Sequence, residues 1–133
     1  MSEKFLLDTN IVGHIIRGKE PALLQQLASV PVGDVAISSV TLAEMEYGWH
    51  RNGRSVRLQQ CIREFLLRAE VLVWDEAVAR FYGELRSSWE ARGISLSDLD
   101  MMIAAHAVAT GTTLVSRDQA FKHVPDRLRL AVW

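Results

Sequence analysis

The sequence of 133 residues has a single cysteine, Cys61, and therefore cannot form an internal disulfide. This excludes a disulfide-stapled secreted scaffold and a cysteine-built zinc site. Only 3 prolines and 8 glycines occur beside 49% hydrophobic residues, which excludes collagen-like and wholly disordered chains. No apolar run approaches the roughly 18 residues that span a membrane or resembles a signal sequence. We expect a cytoplasmic protein without a membrane segment, folded as a single domain over residues 1–133.

An excess of charge of one sign is also lacking. The 15 Lys and Arg residues against 16 Asp and Glu give a net charge of -1, so the whole chain has no general attraction for nucleic acid. The lysines are only Lys4, Lys19 and Lys122, and the other bases are arginines. Arginine suits bidentate contacts with phosphate, although surface solubility or genome composition explains this usage equally well.

Short apolar runs alternate with helical patterns along the chain, which is typical of βα units and a parallel sheet. The predicted strands are 4–7, 35–38, 71–73, 113–116 and 128–132. The predicted helices are 10–17, 21–29, 41–50, 54–69, 75–92 and 98–110. The pattern predicts an α/β fold with a central, mostly parallel five-stranded sheet flanked by helices.

Four acidic residues share one kind of position, at or near a junction between a strand and the next helix. They are Asp8, Glu44, Asp100 and Asp118. The carboxyl ends of parallel strands and the amino ends of the following helices lie along one edge of an open sheet, where ligands bind. We therefore expect the four carboxylates to converge there.

Helix capping offers a different explanation for each acid taken alone. Asp8 is in a position to cap a helix, and Asp118 to form a turn. Thr41-x-x-Glu44 and Ser97-x-x-Asp100 both match the capping box. A non-catalytic α/β binding module whose acids only cap helices is therefore the alternative function.

Carboxylates that do meet restrict the possible chemistry. Two of them about 4 Å apart repel by about 4 kcal/mol at an effective dielectric constant of 20, so a cluster must bind protons or a cation. Mg²⁺ or Mn²⁺ prefers such oxygen ligands and also accepts phosphate oxygens. A bound ion of this kind activates water, which makes phosphodiester hydrolysis the candidate reaction.

The residues around these acids resemble a known family, the PIN-domain ribonucleases, and in particular the VapC toxins of bacterial toxin–antitoxin pairs. The likeness covers nearly the whole chain except the middle third. It is carried by LLDTN at 6–10, ISSVTLAEMEYG at 37–48, GISLSDLDMMIAAHAVATGTTLVSRD at 93–118 and the FKHVPDRL tail. The resemblance implies a PIN-like three-layer fold, with Asp8, Glu44, Asp100 and Asp118 matching the four acids of the family.

The resemblance also implies a function. It is a Mg²⁺- or Mn²⁺-dependent endoribonuclease, often cutting a particular tRNA, that forms a homodimer or a higher toxin–antitoxin assembly and is inhibited by a VapB-type antitoxin. Asp8 and Asp100 would be the chief metal ligands, and Asp118 would assist directly or through water. Glu44 would position or deprotonate the attacking water. Hydrogen-bond partners of these groups would be Asn10, Ser39 and Ser116.

Two departures from the family pattern stand out. Ser116-Arg117-Asp118 replaces the Thr-Asn-Asn or Thr-x-Asp that often follows the fourth strand, which makes the role of Asp118 less secure. Asp98 competes with Asp100 for the third acid, but the spacing to Ile103-Ala104-Ala105-His106 favours Asp100.

A basic stretch and a histidine indicate a function less specifically than the four acids do. RNGRSVR places Arg51, Arg54 and Arg57 where they could follow an RNA backbone, or where they simply form a solvated hinge and helix start. We expect His106 to be a buried structural histidine, because no second His or Cys stands at ligand spacing.

Two other α/β functions are disfavoured. A phosphotransfer receiver domain clusters acids at strand ends too, but it needs a partner lysine, and none of Lys4, Lys19 and Lys122 is identified as that partner. A Rossmann cofactor domain requires G-x-G-x-x-G after the first strand, which is missing.

Overall fold

The structure is a computed structural model that describes residues 3–124 and 127–133. Within these ranges the strands are β1 (Phe5–Leu7), β2 (Val35–Ser38), β3 (Glu70–Leu72), β4 (Thr113–Val115) and β5 (Leu130–Ala131). The α-helices are α1 (Thr9–Arg17), α2 (Pro21–Ser29), α3 (Ser39–Arg51), α4 (Val56–Leu66), α5 (Glu76–Ala91) and α6 (Asp98–Thr110). Part of the FKHVPDRL tail, Pro125 and Asp126, lies outside the described residues.

The five strands form one sheet in the order β3-β2-β1-β4-β5, and every pair is parallel. This confirms the predicted fold class. The strand order reverses beside β1, because β2 and β3 lie on one side of it and β4 and β5 on the other. In open α/β sheets such a reversal leaves a crevice at the carboxyl ends of the strands. Here that crevice lies where β1 and β4 end.

Alternate strand residues point into two separate cores, as the two-residue period of a strand requires. Leu7, Ile37 and Val115 pack on the side covered by α1, α2 and α4. Leu6, Ala36 and Leu114 pack on the side covered by α5 and α6. The sheet is therefore the middle of three layers, and it is buried on both faces.

Most helix boundaries follow from local chemistry. Gly18 and Gly111 end α1 and α6 with φ of 66°, a left-handed conformation that glycine adopts without steric cost. Pro21 occupies the first turn of α2, where its missing N–H costs nothing. None of the helices among the described residues is long and apolar enough to cross a bilayer. That residues 1–133 form one domain stays a prediction.

The predicted start of the third helix is wrong. Helix α3 begins at Ser39 rather than at residue 41, because the hydroxyl of Ser38 caps it by accepting the Val40 N–H at 3.0 Å. Thr41 is fully buried, and its hydroxyl lies 3.3 Å from that of Thr9 on α1. Thr41 is therefore not a helix cap, and the capping box proposed for Glu44 does not exist.

Candidate active site

Asp8 lies directly after β1 and is 6% exposed. Its backbone N–H donates to the carbonyl of Val115 at 3.1 Å, which extends the pairing of β1 with β4 by one residue. Its carboxylate caps α1 by accepting the Ile11 N–H at 2.9 Å. The capping contact is therefore real, and it fixes the carboxylate at the crevice between β1 and β4.

Ser116 connects Asp8 with the segment that contains Asp118. The Ser116 hydroxyl accepts the Asp118 N–H at 3.0 Å and hydrogen-bonds to the Asp8 side chain. Asp118 in turn caps the short 3-10 helix Gln119–His123 by accepting the Ala120 N–H at 2.9 Å. Ser116 is 1% exposed, so this connection is shielded from solvent.

Asp100 reaches the same crevice from the first turn of α6. The Ser97 hydroxyl caps this helix by accepting the Asp100 N–H at 3.2 Å, as the sequence pattern predicts. Asp98, the competing candidate, lies two residues before Asp100. Its carboxylate pairs with Arg86 at 3.0 Å, and its side chain is 80% exposed. The two acids therefore point to different surroundings, and Asp100 is the one beside Asp8.

One cavity of about 160 Å³ is lined by Asp8, Glu44 and Asp100, and we call it the acidic cavity. Glu44 enters it from α3 as an exposed side chain, and Asn10 lines it from α1. Asp118 is not part of this lining, but its negative charge acts on both Asp8 and Asp100. The fold thus brings all four predicted acids to one edge of the sheet.

The pKa values of two of these acids reflect this crowding. Burial raises the pKa of Asp8, and the negative charge of Asp118 adds to the effect, while hydrogen bonds from Ser116 and Ile11 oppose it. Burial also raises the pKa of Asp100, as do the charges of Asp118 and Asp8. Each carboxylate is therefore less stable in its charged form than in water, and a cation would relieve this repulsion.

The donor set fits a hard divalent cation such as Mg²⁺ or Mn²⁺, since carboxylate oxygens line the cavity. Among residues 3–124 and 127–133, no three His, Cys, Asp or Glu side chains stand close enough together to enclose a metal. Mg²⁺ does not need such a cage, because it usually binds through one or two carboxylates and keeps several waters. Asp8 and Asp100 are the residues that would hold such an ion.

The other predicted site residues have different positions. Ser39, predicted as a hydrogen-bond partner of the acidic groups, accepts the Trp74 N–H at 3.0 Å and ties the segment after β3 to α3. Arg51, Arg54 and Arg57 are exposed and do not line the acidic cavity. They lie at the end of α3, in the following loop and in the first turn of α4.

His106 is fully buried, and its Nδ1 lies 2.8 Å from the Ser38 hydroxyl, which confirms the prediction of a structural histidine. Burial lowers its pKa, which favours the neutral ring. His106 therefore joins α6 to the strand end that caps α3, and it does not line the acidic cavity.

The sequence reasoning missed the surroundings of Arg117. Its Nε donates to the carbonyl of Trp133 at 2.9 Å, and its terminal nitrogen lies 2.9 Å from the Glu20 carboxylate. Glu20 also lies 3.1 Å from the His14 ring. Arg117 is thus held toward Glu20 and the C-terminal residue, although it is next to Asp118 in sequence. No local pattern indicates these contacts, because the partners are distant along the chain.

Comparison with known proteins agrees with this geometry. The PIN domain family matches residues 5–127. The ribonuclease VapC2 of Rickettsia felis is 32% identical, over 92% of this chain and 92% of that one. The tRNA(fMet)-specific endonuclease VapC of Shigella flexneri is 36% identical, over 86% of each chain.

A solved structure shows the same architecture. The crystal structure of VapBC2 from Rickettsia felis, bound to a DNA fragment from its promoter, contains a chain that superposes with a TM-score of 0.88 at 32% identity. The match covers 97% of this chain and 98% of that one. The family match and these similarities extend over nearly all of the sequence. The chain belongs to the PIN domain family and, within it, to the VapC proteins.

Proposed function

We propose that this protein is a metal-dependent endoribonuclease, the toxin of a VapBC toxin–antitoxin pair. The observation that carries the proposal is the convergence of Asp8, Asp100 and Asp118 at the crevice of the sheet, with a raised pKa for Asp8 and Asp100. A chain of the VapC family with this arrangement has the groups that phosphodiester hydrolysis needs. The comparisons give no support to the alternative of a non-catalytic module.

Each acid has a separate role in the proposed reaction. Asp8 and Asp100 hold Mg²⁺ or Mn²⁺, and Asp118 assists directly or through a water molecule. The ion, when bound, polarises the phosphate and lowers the pKa of water. Glu44, the most exposed of the four, orients the attacking water and accepts its proton as the water oxygen bonds to phosphorus. The P–O bond to the ribose breaks, and the leaving ribose oxygen takes up a proton from solvent water. Asn10 and Ser116 support the carboxylates by hydrogen bonding.

The partners follow from what the relatives bind. The Rickettsia felis relative was crystallised as VapBC2, so a VapB-type antitoxin is the proposed partner of this chain. The Shigella flexneri relative is named for tRNA(fMet), which makes a tRNA the first RNA substrate to test. We place its action in the cytoplasm, where tRNA is found. A homodimer stays a prediction.

The decisive experiment incubates the purified chain with total tRNA and Mg²⁺ or Mn²⁺ and sequences the new RNA ends. We expect cleavage that EDTA stops and that Asp100→Asn abolishes. Asp98→Asn is the matched control, because Asp98 lies in the same helical turn but pairs with Arg86 at the surface. Cleavage that survives in Asp100→Asn, or that is lost equally in Asp98→Asn, would contradict the proposed site.

A further inference from the structure

Three basic side chains that are distant in sequence surround a second cavity, of about 300 Å³. Arg17 is the last residue of α1, Lys19 follows that helix, and Arg57 lies in the first turn of α4. Ile16 and Leu58 form an apolar part of the wall. We call this the basic cavity. The packing of α1 against α4 creates it, so sequence spacing alone does not predict it.

The charges of the basic cavity are not neutralised within the described residues. Lys19 and Arg57 have no hydrogen-bond or ion-pair partner there. The contact recorded for Arg17 is with the His14 ring at 3.0 Å, not with a carboxylate. Glu20 lies 3.1 Å from the same ring nitrogen, so Lys19 and Arg57 are the two cations left without an ion-pair partner among the described residues. Such exposed positive charge attracts an anionic ligand.

A row of three cavities with shared lining residues extends along α1 from the basic cavity to the acidic one, and we call this row the depression. A third cavity, of about 220 Å³, shares Ile16, Arg17 and Leu58 with the basic cavity. It shares Thr9 and Glu44 with the acidic cavity. The depression follows α1, whose 9 residues span about 13 Å. One extended anionic chain could therefore contact both ends of this helix.

We propose that the basic cavity binds phosphate groups of the same RNA strand that is cut at the carboxylates. The inference rests on the proposed nuclease function, because it places the scissile phosphate at one end of the depression. RNA carries a negative charge at every nucleotide, and arginine forks pair well with phosphate. An acidic peptide offers the same sign of charge, but nothing requires it to extend to the catalytic carboxylates.

A binding titration tests this assignment. The full chain with Asp8→Asn, which prevents cleavage, is titrated with a mixed-sequence single-stranded RNA of about 16 nucleotides at several salt concentrations. We expect Arg57→Ala and Lys19→Ala each to weaken binding by roughly fivefold. Each should also reduce the slope of log affinity against log salt by about 0.7, the value for one lost phosphate contact on a single strand. Arg63→Ala is the control, because Arg63 is exposed on the same helix outside the cavity.

Further measurements separate this inference from the nuclease proposal. In the active protein, Arg57→Ala should lower the ratio of long-RNA cleavage to dinucleotide cleavage, because a dinucleotide is too short to reach the basic cavity. An unchanged salt slope in both cavity variants, or an equal loss in Arg63→Ala, would overturn the assignment. Tighter binding of poly-glutamate than of RNA, lost in the same variants, would also overturn it. Failure of the wild type to cleave any RNA would instead remove the nuclease proposal, since the titration does not depend on cleavage.

Discussion

The two ends of helix α1 carry opposite charges and are built in different ways. At the amino end, Asp8 is buried and held by hydrogen bonds from Ile11 and Ser116. At the carboxyl end, Arg17 and Lys19 are exposed and face Arg57 across an open cavity. The helix dipole favours both arrangements, since it stabilises anions at the amino end and cations at the carboxyl end.

The difference between the two ends shows which part of this surface needs precise geometry. The dipole explains why one acid lies at the start of α1, but it does not explain why Asp100 and Asp118 gather beside it. Buried like charges destabilise the fold, so they are more typical of a functional site than of a stabilising one. Exposed cations cost little and can be replaced singly. We therefore expect abrupt losses at the acidic end and graded losses at the basic end.

The largest expected effect is at Asp8, where substitution separates catalysis from capping. Asn caps helices about as well as Asp, so Asp8→Asn should not lower the melting temperature, while RNA cleavage should fall by roughly a thousandfold or more. Asp8→Ala should lose both cleavage and the cap, at a cost of about 1 kcal/mol in unfolding free energy. Cleavage assays and thermal denaturation of the two variants measure these effects. If Asp8→Asn retained full cleavage, capping would be the whole role of Asp8.

A smaller effect is expected from a substitution of Ser116, because it leaves the charge of the acidic end unchanged. Ser116→Ala removes the hydrogen bond that opposes the raised pKa of Asp8 and also frees the Asp118 N–H. Groups that support metal ligands typically contribute 10- to 100-fold to metal affinity, so the Mg²⁺ concentration for half-maximal cleavage should rise by roughly that factor. Ser29→Ala, at an exposed helix end, is the control. Equal metal dependence in both variants would show that Ser116 does not tune the site.

The sequence predicts the acidic end better than the basic end, for a physical reason. Strand ends in a parallel sheet share one edge, so the positions of Asp8 and Asp118 follow from the strand pattern alone. Thr41 looked like a cap only because the true helix start, two residues earlier, depends on the Ser38 hydroxyl. The basic end requires knowing that α1 packs on α4, which is tertiary information. The sequence pattern therefore indicates Arg57 as a candidate RNA contact but does not indicate Arg17 or Lys19.

The smallest expected effect is a change in how the free energy of unfolding depends on pH. Because the pKa values of Asp8 and Asp100 are raised above the ordinary value of 3.8, the folded chain binds protons more tightly than the unfolded chain. Without metal, the stability contributed by these groups is therefore greatest below the ordinary Asp pKa. It falls as the pH rises through the raised values, and above them the full penalty is present.

Asp100→Asn should remove the part of this penalty that belongs to Asp100, so its melting temperature should match that of the wild type near the ordinary Asp pKa and exceed it by a few degrees at neutral pH. His106, whose pKa burial lowers, penalises the folded state in the opposite sense as the pH falls below 6.5, but it is present in both proteins and cancels in the difference. Millimolar Mg²⁺ at neutral pH should raise the melting temperature of the wild type alone, because a cation that neutralises the carboxylates replaces the missing protons. A pH-independent difference between the two proteins would mean that the pKa of Asp100 is not raised by its burial and its acidic neighbours.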